Sequence, residues 1–464
     1  MKTKSVPNSW LERDGRRLDC NPYMSGALEA KVLLESMGAR KDKLQAVTRG
    51  GASGIFHAGR IKRMWVDSPE HGRPFLSSTE ILQADLSNLP FISKKAVAEN
   101  PRLLIHAGWT LITRSGTVGR MAYARPDAED YACSEHVLRV VPDAAKILPG
   151  YLYAYLSSKF GVPLVVGGTY GAIIQHIEPE HIADLPVPRL GAKMEWEIHM
   201  LMERAANARS QAHQLRRGAL SLFYRHYGLT DLSGADTAVN HVIFNINASS
   251  LQRLDAAHYS PACRAAADEL AACGETKRLN EVARVFTPGI FKRLHVEDPN
   301  YGYPYFSGTE LFQYDPEPRG HLSRRAPKIG DYIVRLNWLL IQDAGQLEGL
   351  IGRLVRVTPL VDNSVVSNHL MRIATETVEI SAYLSVILSS PHGYRAITRN
   401  AFGSSIPQLD PAHIGALRIP WPSSAIRQQI AAPVLAAWKL EDEASASVRS
   451  ATKKIENAIE MGAN

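Results

Sequence analysis

A polar loop in the first half of the chain carries side chains suited to binding an anion. The stretch "TRSGTVGR" (113–120) joins two strand-like runs and offers Arg114, Ser115, Thr117 and Arg120. Its glycines let backbone amides approach a ligand closely. Cations and hydroxyls in this combination suit phosphate oxygens or base edges. The alternative is an ordinary solvated hairpin.

A second basic stretch occurs in both halves of the chain. "RGGASGIFHAGRIKR" (49–63) contains Arg49, Lys62 and Arg63, and its counterpart "FTPGIFKR" (286–293) contains Lys292 and Arg293. Basic residues beside glycine and an aromatic residue suit contacts to a nucleic-acid backbone. The alternative interpretation is an exposed turn.

Further polar candidates fall at the tips of loops. The stretch "RLNWLLIQDAGQLEGLIGR" (335–353) is the counterpart of 113–120 but differs in length and chemistry. Glutamine side chains at aligned positions of two other loops, 167–177 and 400–409, could bond a base edge or the backbone. The candidates in these stretches are Arg335, Asn337, Gln342, Tyr170, Gln175, Ser404 and Gln408.

The motifs of common catalytic centres are absent from the sequence. It contains no GxGxxG after a strand, no GxxxxGK[ST], no HExxH and no zinc-ligand spacing. It also lacks the Asp/Asn-Pro-Pro-aromatic tetrapeptide with which amino-methyltransferases hold a flipped base. We therefore expect no catalytic residue, no metal and no cofactor on this chain.

The histidines are spread along the chain, but four of them recur in pairs. His181 and His413 stand in "EPEHI" and "DPAHI", where Glu178 and Asp410 are expected to cap short helices, so a structural role is favoured. His136 and His369 lie in strand-like runs. A fold-determining role is predicted for this second pair, with a polar groove as the alternative.

Composition sets the broad class. The 464 residues include 53 Lys and Arg against 46 Asp and Glu, giving a net charge of +7, which suits a polyanionic partner. No apolar run approaches the roughly 20 residues that span a bilayer, and the start lacks the apolar segment of a secretory signal. The four cysteines are too scattered for a disulfide framework. We expect a cytoplasmic protein of two to four domains with no membrane contact.

The chain contains one design twice. "PFLSSTEIL" matches "PYFSGTELF", and "YLYAYLSS" matches "AYLSVILSS". "SEHVLRVV" from Ser134 matches "SNHLMRIA" from Ser367, and "IEPEHIADLPVPRL" from Ile177 matches "LDPAHIGALRIPWP" from Leu409. Matches in the same order at nearly constant spacing indicate a duplicated domain.

Each copy is followed by a long helical tract with apolar or small residues at alternating steps of three and four, the period of a coiled-coil seam. A seam needs a partner, and two tracts of about 35 residues, each about 50 Å long, suit one another. The alternative is that each helix packs on its own domain. Pro433 is expected to kink the second helix or to mark its true start. The seam residues are Ile198, Leu201, Leu215 and Leu222 in the first tract, and Ile430, Val434, Leu440, Val448 and Ile455 in the second.

These patterns predict an α+β fold in which two duplicated domains are joined by two long helices that form an antiparallel coiled coil. The predicted segments are a first domain at 1–190, a helix at 191–227, a linker with a short strand at 228–250, a second domain at 251–422 and a C-terminal helix at 423–464.

The repeated motifs and the helix after each copy resemble the specificity subunit of type I restriction–modification systems. The resemblance covers nearly the whole chain, and "P-x-x-I-x-x-L-x-x-P-x-P" before a long helix carries it most specifically. It implies two target-recognition domains, each reading one half of a bipartite DNA site, and helices that set the spacing. It also implies a non-catalytic role in DNA methylation and phage defence.

The same resemblance implies partners. They are double-stranded DNA and DNA adenine methyltransferase subunits that bind S-adenosylmethionine, with a restriction or translocase subunit as an optional further partner. A second hypothesis from a different class is a protein–protein scaffold, whose repeats bind polypeptides and whose coiled coil mediates assembly. Steep loss of binding with salt is expected for DNA and not for an apolar protein interface.

Overall fold

The computed structural model describes residues 3–13, 21–87, 89–167, 176–230, 232, 245–247, 249, 253, 255–346, 349–403 and 405–462. The chain forms two compact units. The first combines Met1–Ser210 with Glu443–Asn464, and the second is Gln211–Asp442. Both long helices therefore contribute residues to both units.

The first unit contains short strands and helices of mixed order. Its strands are β1 (Lys41–Lys43), β2 (Ile55–Phe56), β3 (Trp65–Val66), β4 (Gly72–Leu76), β5 (Phe91–Ser93), β6 (Thr110–Thr113), β7 (Met121–Tyr123), β8 (Ala132–Cys133), β9 (Val137–Val140) and β10 (Pro186–Pro188). Its helices are α1 (Asn8–Arg13), α2 (Asn21–Met24), α3 (Ala27–Ser36), α4 (Lys94–Glu99), α5 (Pro149–Leu156), α6 (Gly161–Gly167), α7 (Pro179–Ala183) and the start of α8 (Ala192–Tyr227).

The second unit repeats this order. Its strands are β11 (Thr276–Arg278), β12 (Arg284–Phe286), β13 (His295–Val296), β14 (Gly302–Phe306), β15 (Gly320–Ser323), β16 (Leu339–Gln342), β17 (Leu354–Arg356), β18 (Val365–Val366), β19 (Leu370–Ala374) and β20 (Arg418–Pro420). Its helices are α9 (Pro261–Ala271), α10 (Leu279–Val282), α11 (Gly308–Leu311), α12 (Val378–Ser389), α13 (Pro391–Thr398), α14 (Pro411–Gly415) and the start of α15 (Ser424–Gly462).

The sheets of the two units have the same topology. One four-stranded antiparallel sheet has the order β2-β9-β6-β7 in the first unit and β12-β19-β16-β17 in the second. A second sheet has the order β3-β5-β4-β8 or β13-β15-β14-β18, and its last pair is parallel. A two-stranded ribbon joins β1 to β10, or β11 to β20. The duplicated α+β fold predicted from the sequence is confirmed.

Individual contacts repeat as well as topology. The hydroxyl of Tyr151 in α5 donates to the carbonyl of Pro188 at 2.5 Å, and that of Tyr383 in α12 donates to Pro420 at 2.9 Å. Each bond ties a buried helix to the edge ribbon. Donor and acceptor of the first bond align with donor and acceptor of the second in the sequence repeat, so the duplication extends to single hydrogen bonds.

The predicted helix seams are buried or half-buried along their whole length. Ile198, Ile430, Val434 and Ile455 are at most 2% exposed. Leu201, Leu215, Leu222, Leu440 and Val448 are half-buried. All of these seam residues except Leu215 and Leu440 also join the core of the unit in which they lie, so the pairing of the helices and their packing on the domains occur together. Phe223 and Trp438, absent from the predicted seams, are buried too.

The two helices run antiparallel in the second unit. Arg216 on α8 forms a two-pronged ion pair with Glu441 on α15 at 2.7 and 2.8 Å. Further along α8, Tyr227 lies close enough to Arg427 of α15 for the charge of this arginine to act on the pKa of the tyrosine. Residue numbers therefore rise along one helix as they fall along the other. In the first unit, Lys454 of α15 pairs with Glu197 of α8 at 2.9 Å.

Two expectations about the helix ends and the linker have different outcomes. α15 begins at Ser424 and continues through Pro433, so the prediction that Pro433 marks its start is wrong. Proline removes one backbone donor, and the buried neighbours Ile430 and Val434 hold the helix in place across it. The short strand predicted at 241–246 lies largely outside the described residues. No described helix combines the length and hydrophobicity needed to cross a membrane.

A buried arginine braces the same turn in each unit. Arg139 on β9 has no exposed surface, and its guanidinium donates to the carbonyls of Ser134, Val137 and Leu103 at 2.9, 2.7 and 3.1 Å. Arg372 on β19 is equally buried and donates to Ser367 and Val366 at 3.1 and 3.2 Å. Burial lowers the pKa of both guanidinium groups. We call this arrangement the arginine clamp.

Replacing Arg139 by Leu should loosen the first unit selectively. The variant removes the guanidinium donors of the carbonyls of Val137 and Leu103, a defect that costs about 1–3 kcal/mol of the free energy of unfolding. Hydrogen exchange of residues 131–141 is expected to accelerate strongly, while residues 366–374 of the second unit serve as the internal control. Unchanged exchange in the first segment would contradict the clamp.

Candidate nucleic-acid interface

Four segments of the first unit meet at the end of β6. They are the loop after β2 (57–63), the loop after β6 (114–120), the turn before β9 (134–136) and the approach to α7 (176–178). We call this the first polar site. The turn is presented by the arginine clamp, since Arg139 holds the carbonyl of Ser134.

Side-chain contacts join these segments in pairs. Arg63 donates to both oxygens of Glu135 at 3.1 Å, linking the loop after β2 to the turn. The hydroxyl of Ser115 lies 2.7 Å from Nδ1 of His136, linking the turn to the loop after β6. His57 reaches Glu178 at 3.4 Å. The first polar site is therefore one connected network.

The charged groups of this network have shifted pKa values. Burial acts to raise the pKa of Glu135, but hydrogen bonds from its own amide and from Arg63 outweigh it, so the pKa lies below its usual value. Burial and the charge of Arg114 lower the pKa of His57. Glu135 is thus held as an anion, and it orients Arg63.

Arg114 forms contacts within the protein that the sequence did not predict. Its side chain is 12% exposed, and it pairs with Glu178 and donates to the carbonyl of Ile177 at 3.2 Å. The guanidinium fixes the approach to α7 against the end of β6. We therefore regard Arg114 as a positioning residue, and contact with DNA is not needed to explain its chemistry.

The second unit builds an equivalent site with other residues. The corresponding segments are 287–293, 343–346 with 349–353, 367–369 and 405–410, the second polar site. Asp343 takes the place of Arg114 at the strand end. It accepts from the hydroxyl of Thr287 at 3.4 Å and lies 3.4 Å from Nδ1 of His369. The amide of Leu409 donates to the carbonyl of Asp343 at 2.7 Å.

The replacement of a cation by an anion changes the character of the second site. Asp343 is 6% exposed, and its burial raises the pKa of the carboxyl to about 6, against the opposing effect of His369. Oδ1 of Asp343 has no hydrogen-bond partner among the described residues. The two copies thus share a scaffold but present opposite charges at the same strand end.

Arginine–aromatic stacks flank both sites. The guanidinium of Arg63 lies 5.3 Å from the ring centre of Phe75, and that of Arg293 lies 5.4 Å from the ring of Tyr305 at the equivalent position. Arg102 and Arg284 stack on Phe56 and Phe286 at 4.8 and 4.4 Å. Stacking holds these cations in place while their edges stay in solvent, an arrangement suited to backbone phosphates.

The remaining predicted contacts differ in availability. Arg49, Lys62, Thr117, Lys292 and Gln408 are exposed, and Arg120 is half-buried. Arg335 pairs with Asn363. Asn337 occupies a left-handed turn with φ 64° and accepts from Arg356 at 3.2 Å.

Gln342 turns its amide inward, donating to the carbonyl of Ala344 at 2.9 Å. Arg335, Asn337 and Gln342 therefore have structural partners, and their assignment to DNA contact stays a prediction. Tyr170, Gln175 and Ser404 lie outside the described residues.

For the two histidines at the centre of the sites, the sequence favoured a fold-determining role over the polar-groove alternative. The side chains of His136 and His369 are 46% and 49% exposed, not buried as a fold-determining role requires. Each histidine lies in a turn, two residues after the serine that follows a buried strand, and no glycine or proline marks that turn in the sequence. The polar-groove alternative fits both.

The expected helix caps are confirmed. Glu178 and His181 form a reciprocal capping box at the start of α7, where Nδ1 of His181 accepts from the amide of Glu178 at 3.0 Å. The carboxylate of Asp410 accepts from the amide of Ala412 at 2.7 Å at the start of α14.

One group among the described residues has the composition of a metal site. His106, Glu129 and Asp130 lie close together in the first unit. However, the Glu129 carboxylate already accepts from His106 and from the amide of Ala107, both at 2.6 Å. These bonds account for the group as a loop anchor.

Comparison with solved structures finds type I restriction–modification proteins. The S subunit from M. genitalium is 11% identical, with 92% of this chain and 96% of that chain covered and a TM-score of 0.38. The HsdS subunit from Thermoanaerobacter tengcongensis is 13% identical, with 91% and 97% covered and a TM-score of 0.28.

A chain from a structure concerned with assembly and conformational transition of the type I R-M system is 15% identical, with 91% and 97% covered and a TM-score of 0.26. All three come from the family that the sequence motifs resemble. At these scores the superpositions assign no role to any residue of this chain. No protein-family model matches the sequence. No curated protein matches it either.

The stability of the second unit should fall as pH rises through the titration of Asp343. With a pKa near 6 against an ordinary 3.8, the folded chain holds a proton that the unfolded chain has lost between about pH 4 and 6. Replacing Asp343 by Asn should therefore stabilise the second unit at pH 8 and matter little at pH 4. Hydrogen exchange of β16 and β19 at both pH values measures this. A larger stabilisation at the lower pH would contradict it.

Proposed function

We propose that this chain is a DNA sequence-specificity subunit without a catalytic centre of its own. Its two polar sites would each read one half of a bipartite site. One observation carries the proposal: the same four-segment site is built twice on the same scaffold, with different side chains on each. A protein that must recognise two different DNA sequences needs the same scaffold twice, with different side chains in the two polar sites.

The side chains in and around the two polar sites support duplex DNA as the ligand. Exposed lysines and stacked arginines suit phosphates, which fix the position of a protein on the duplex. Half-exposed histidines and carboxylates beside them offer donors and acceptors for base edges in the major groove. The sites combine both kinds of group within a few residues.

The methyltransferase partner belongs to the same proposal. α8 and α15 contain 36 and 39 residues, so each extends for more than 50 Å, compared with about 34–36 Å for one turn of DNA. We propose that they connect the two readers and dock DNA adenine methyltransferase subunits. S-adenosylmethionine would be held by those subunits, and a restriction or translocase subunit could join them.

Half-site specificity can be tested by a matched pair of variants, His136→Ala and His369→Ala. Bound duplexes would be selected from a random library by the purified complex with its methyltransferase. Each variant is expected to relax the sequence preference in one half-site only, because each removes groups from one reader. The loss of one base contact corresponds to about 1–3 kcal/mol of discrimination. Equal relaxation of both half-sites by either variant would contradict separate readers.

Phosphate contact is tested by Lys62→Ala and Lys292→Ala. Among the described residues neither lysine has a carboxylate partner, so each is available to the DNA backbone. Each substitution should weaken binding to all sequences alike and reduce the slope of log K against log salt by about 1. Lys439→Ala, exposed on α15, is the control and should leave the slope unchanged.

The scaffold hypothesis makes the opposite prediction in the same experiment. A mainly apolar protein interface shows little dependence on salt, whereas neutralised phosphates release counterions. A flat salt profile for the unmodified complex, together with no sequence enriched from the library, would favour the scaffold.

A further inference from the structure

The tip of the loop after β12 carries an isoleucine in open solvent. Ile290 is 91% exposed, more than any other large apolar side chain among the described residues. A lone exposed apolar residue is common, so exposure by itself decides nothing. Its surroundings decide the matter.

The base of this loop is anchored on both sides of the tip. On one side, Pro288 restricts the backbone and Thr287 bonds to Asp343 of the second polar site. On the other side, Phe291 packs against Tyr332 with ring centres 3.9 Å apart, and Arg293 stacks on Tyr305. The two ends of the loop are therefore fixed, and Ile290 projects from the loop into solvent.

The neighbours of the tip are cationic. Lys292 and Arg293 follow Ile290 by two and three residues, and both are exposed. The charge around the tip therefore attracts a polyanion. The tip of this loop is apolar and the residues behind it are basic. Such a loop is suited to inserting its tip between stacked nucleobases while its cations contact the neighbouring phosphates.

The first unit places an arginine where the second places this isoleucine. The loops after β2 and β12 have the same length from the last strand residue, Phe56 or Phe286, to the basic pair that follows the tip. Arg60 therefore occupies the tip of the first loop, followed by Lys62 and Arg63. Arginine enters narrow minor grooves without unstacking bases, whereas apolar side chains wedge between base steps. The tips thus differ in the way they can engage DNA.

We propose that Ile290 is a wedge that inserts between two stacked bases of the half-site read by the second unit, and that the first unit engages its half-site without unstacking. This proposal depends on the proposed DNA-binding function. It adds that the second half-site is deformed, so that flexible pyrimidine–purine steps are favoured at a position that no hydrogen bond reads.

The test uses duplexes of the library-selected sequence, with 2-aminopurine placed at successive positions of each half-site. The protein is the purified complex with its methyltransferase. Unstacking raises the fluorescence of this base. We expect a several-fold rise at one step in the second half-site and none in the first.

Ile290→Ala should abolish the rise and weaken binding by about tenfold, and Ile290→Arg, which copies the first unit, should abolish the rise with less loss of affinity. Tyr301→Ala is the control, since Tyr301 is another strongly exposed side chain of the second unit at 68%. It should leave the fluorescence rise intact.

The outcomes separate this proposal from the one on which it rests. Selective binding with no fluorescence rise, or with a rise that survives Ile290→Ala, overturns the wedge and leaves the DNA-reading function standing. Failure of the library to yield any selected sequence overturns both. Loss of methyltransferase from the Ile290→Ala complex before DNA is added would assign the tip to a protein contact and also overturn the wedge.

Discussion

A desolvated guanidinium in each unit dictates how the chain must fold around it. Arg139 and Arg372 have no exposed surface, and a buried cation is costly unless its donors are bonded. In both side chains the two terminal nitrogens are bonded, while Nε has no partner among the described residues. Here the acceptors are backbone carbonyls, so the chain bends around the side chain between β8 and β9, and between β18 and β19. That bend sets the position of the exposed histidine in each site. The polar network is then assembled on a turn whose shape is fixed from inside.

The duplication distinguishes residues that the fold requires in both units from residues of the polar sites that differ between them. The buried arginine, the tyrosine bonded to the edge ribbon and the stacked arginine beside the loop are the same in both units. The strand end carries Arg114 in one copy and Asp343 in the other, and the loop tip carries Arg60 or Ile290. Arg60 and Ile290 lie at exposed loop tips, whereas Arg114 and Asp343 are largely buried at the strand end, where each has its own partners. The same scaffold can therefore carry two different sets of recognition side chains.

Much of this architecture could be predicted from the sequence. The repeat and the two helices are encoded in long, redundant patterns, so single exceptions such as Pro433 do not obscure them. The site was harder, because a loop residue's direction depends on a partner far along the chain. Arg114 and Glu178 are 64 residues apart in the sequence, and the burial of Asp343 comes from packed strands that no local pattern shows. His136 and His369 were placed in strands because the bend made by the arginine clamp has no glycine or proline to mark it.

The central claim is that this chain selects the DNA sequence on which a partner methyltransferase acts. The most direct measurement is the single-molecule methylome of the host with and without the gene, together with a gene whose second domain comes from a different specificity subunit. The account predicts that adenine methylation at one split motif disappears with the gene, and that the exchanged domain changes one half of the motif while the other half stays. An unchanged methylome in cells that express the gene and its methyltransferase would contradict it.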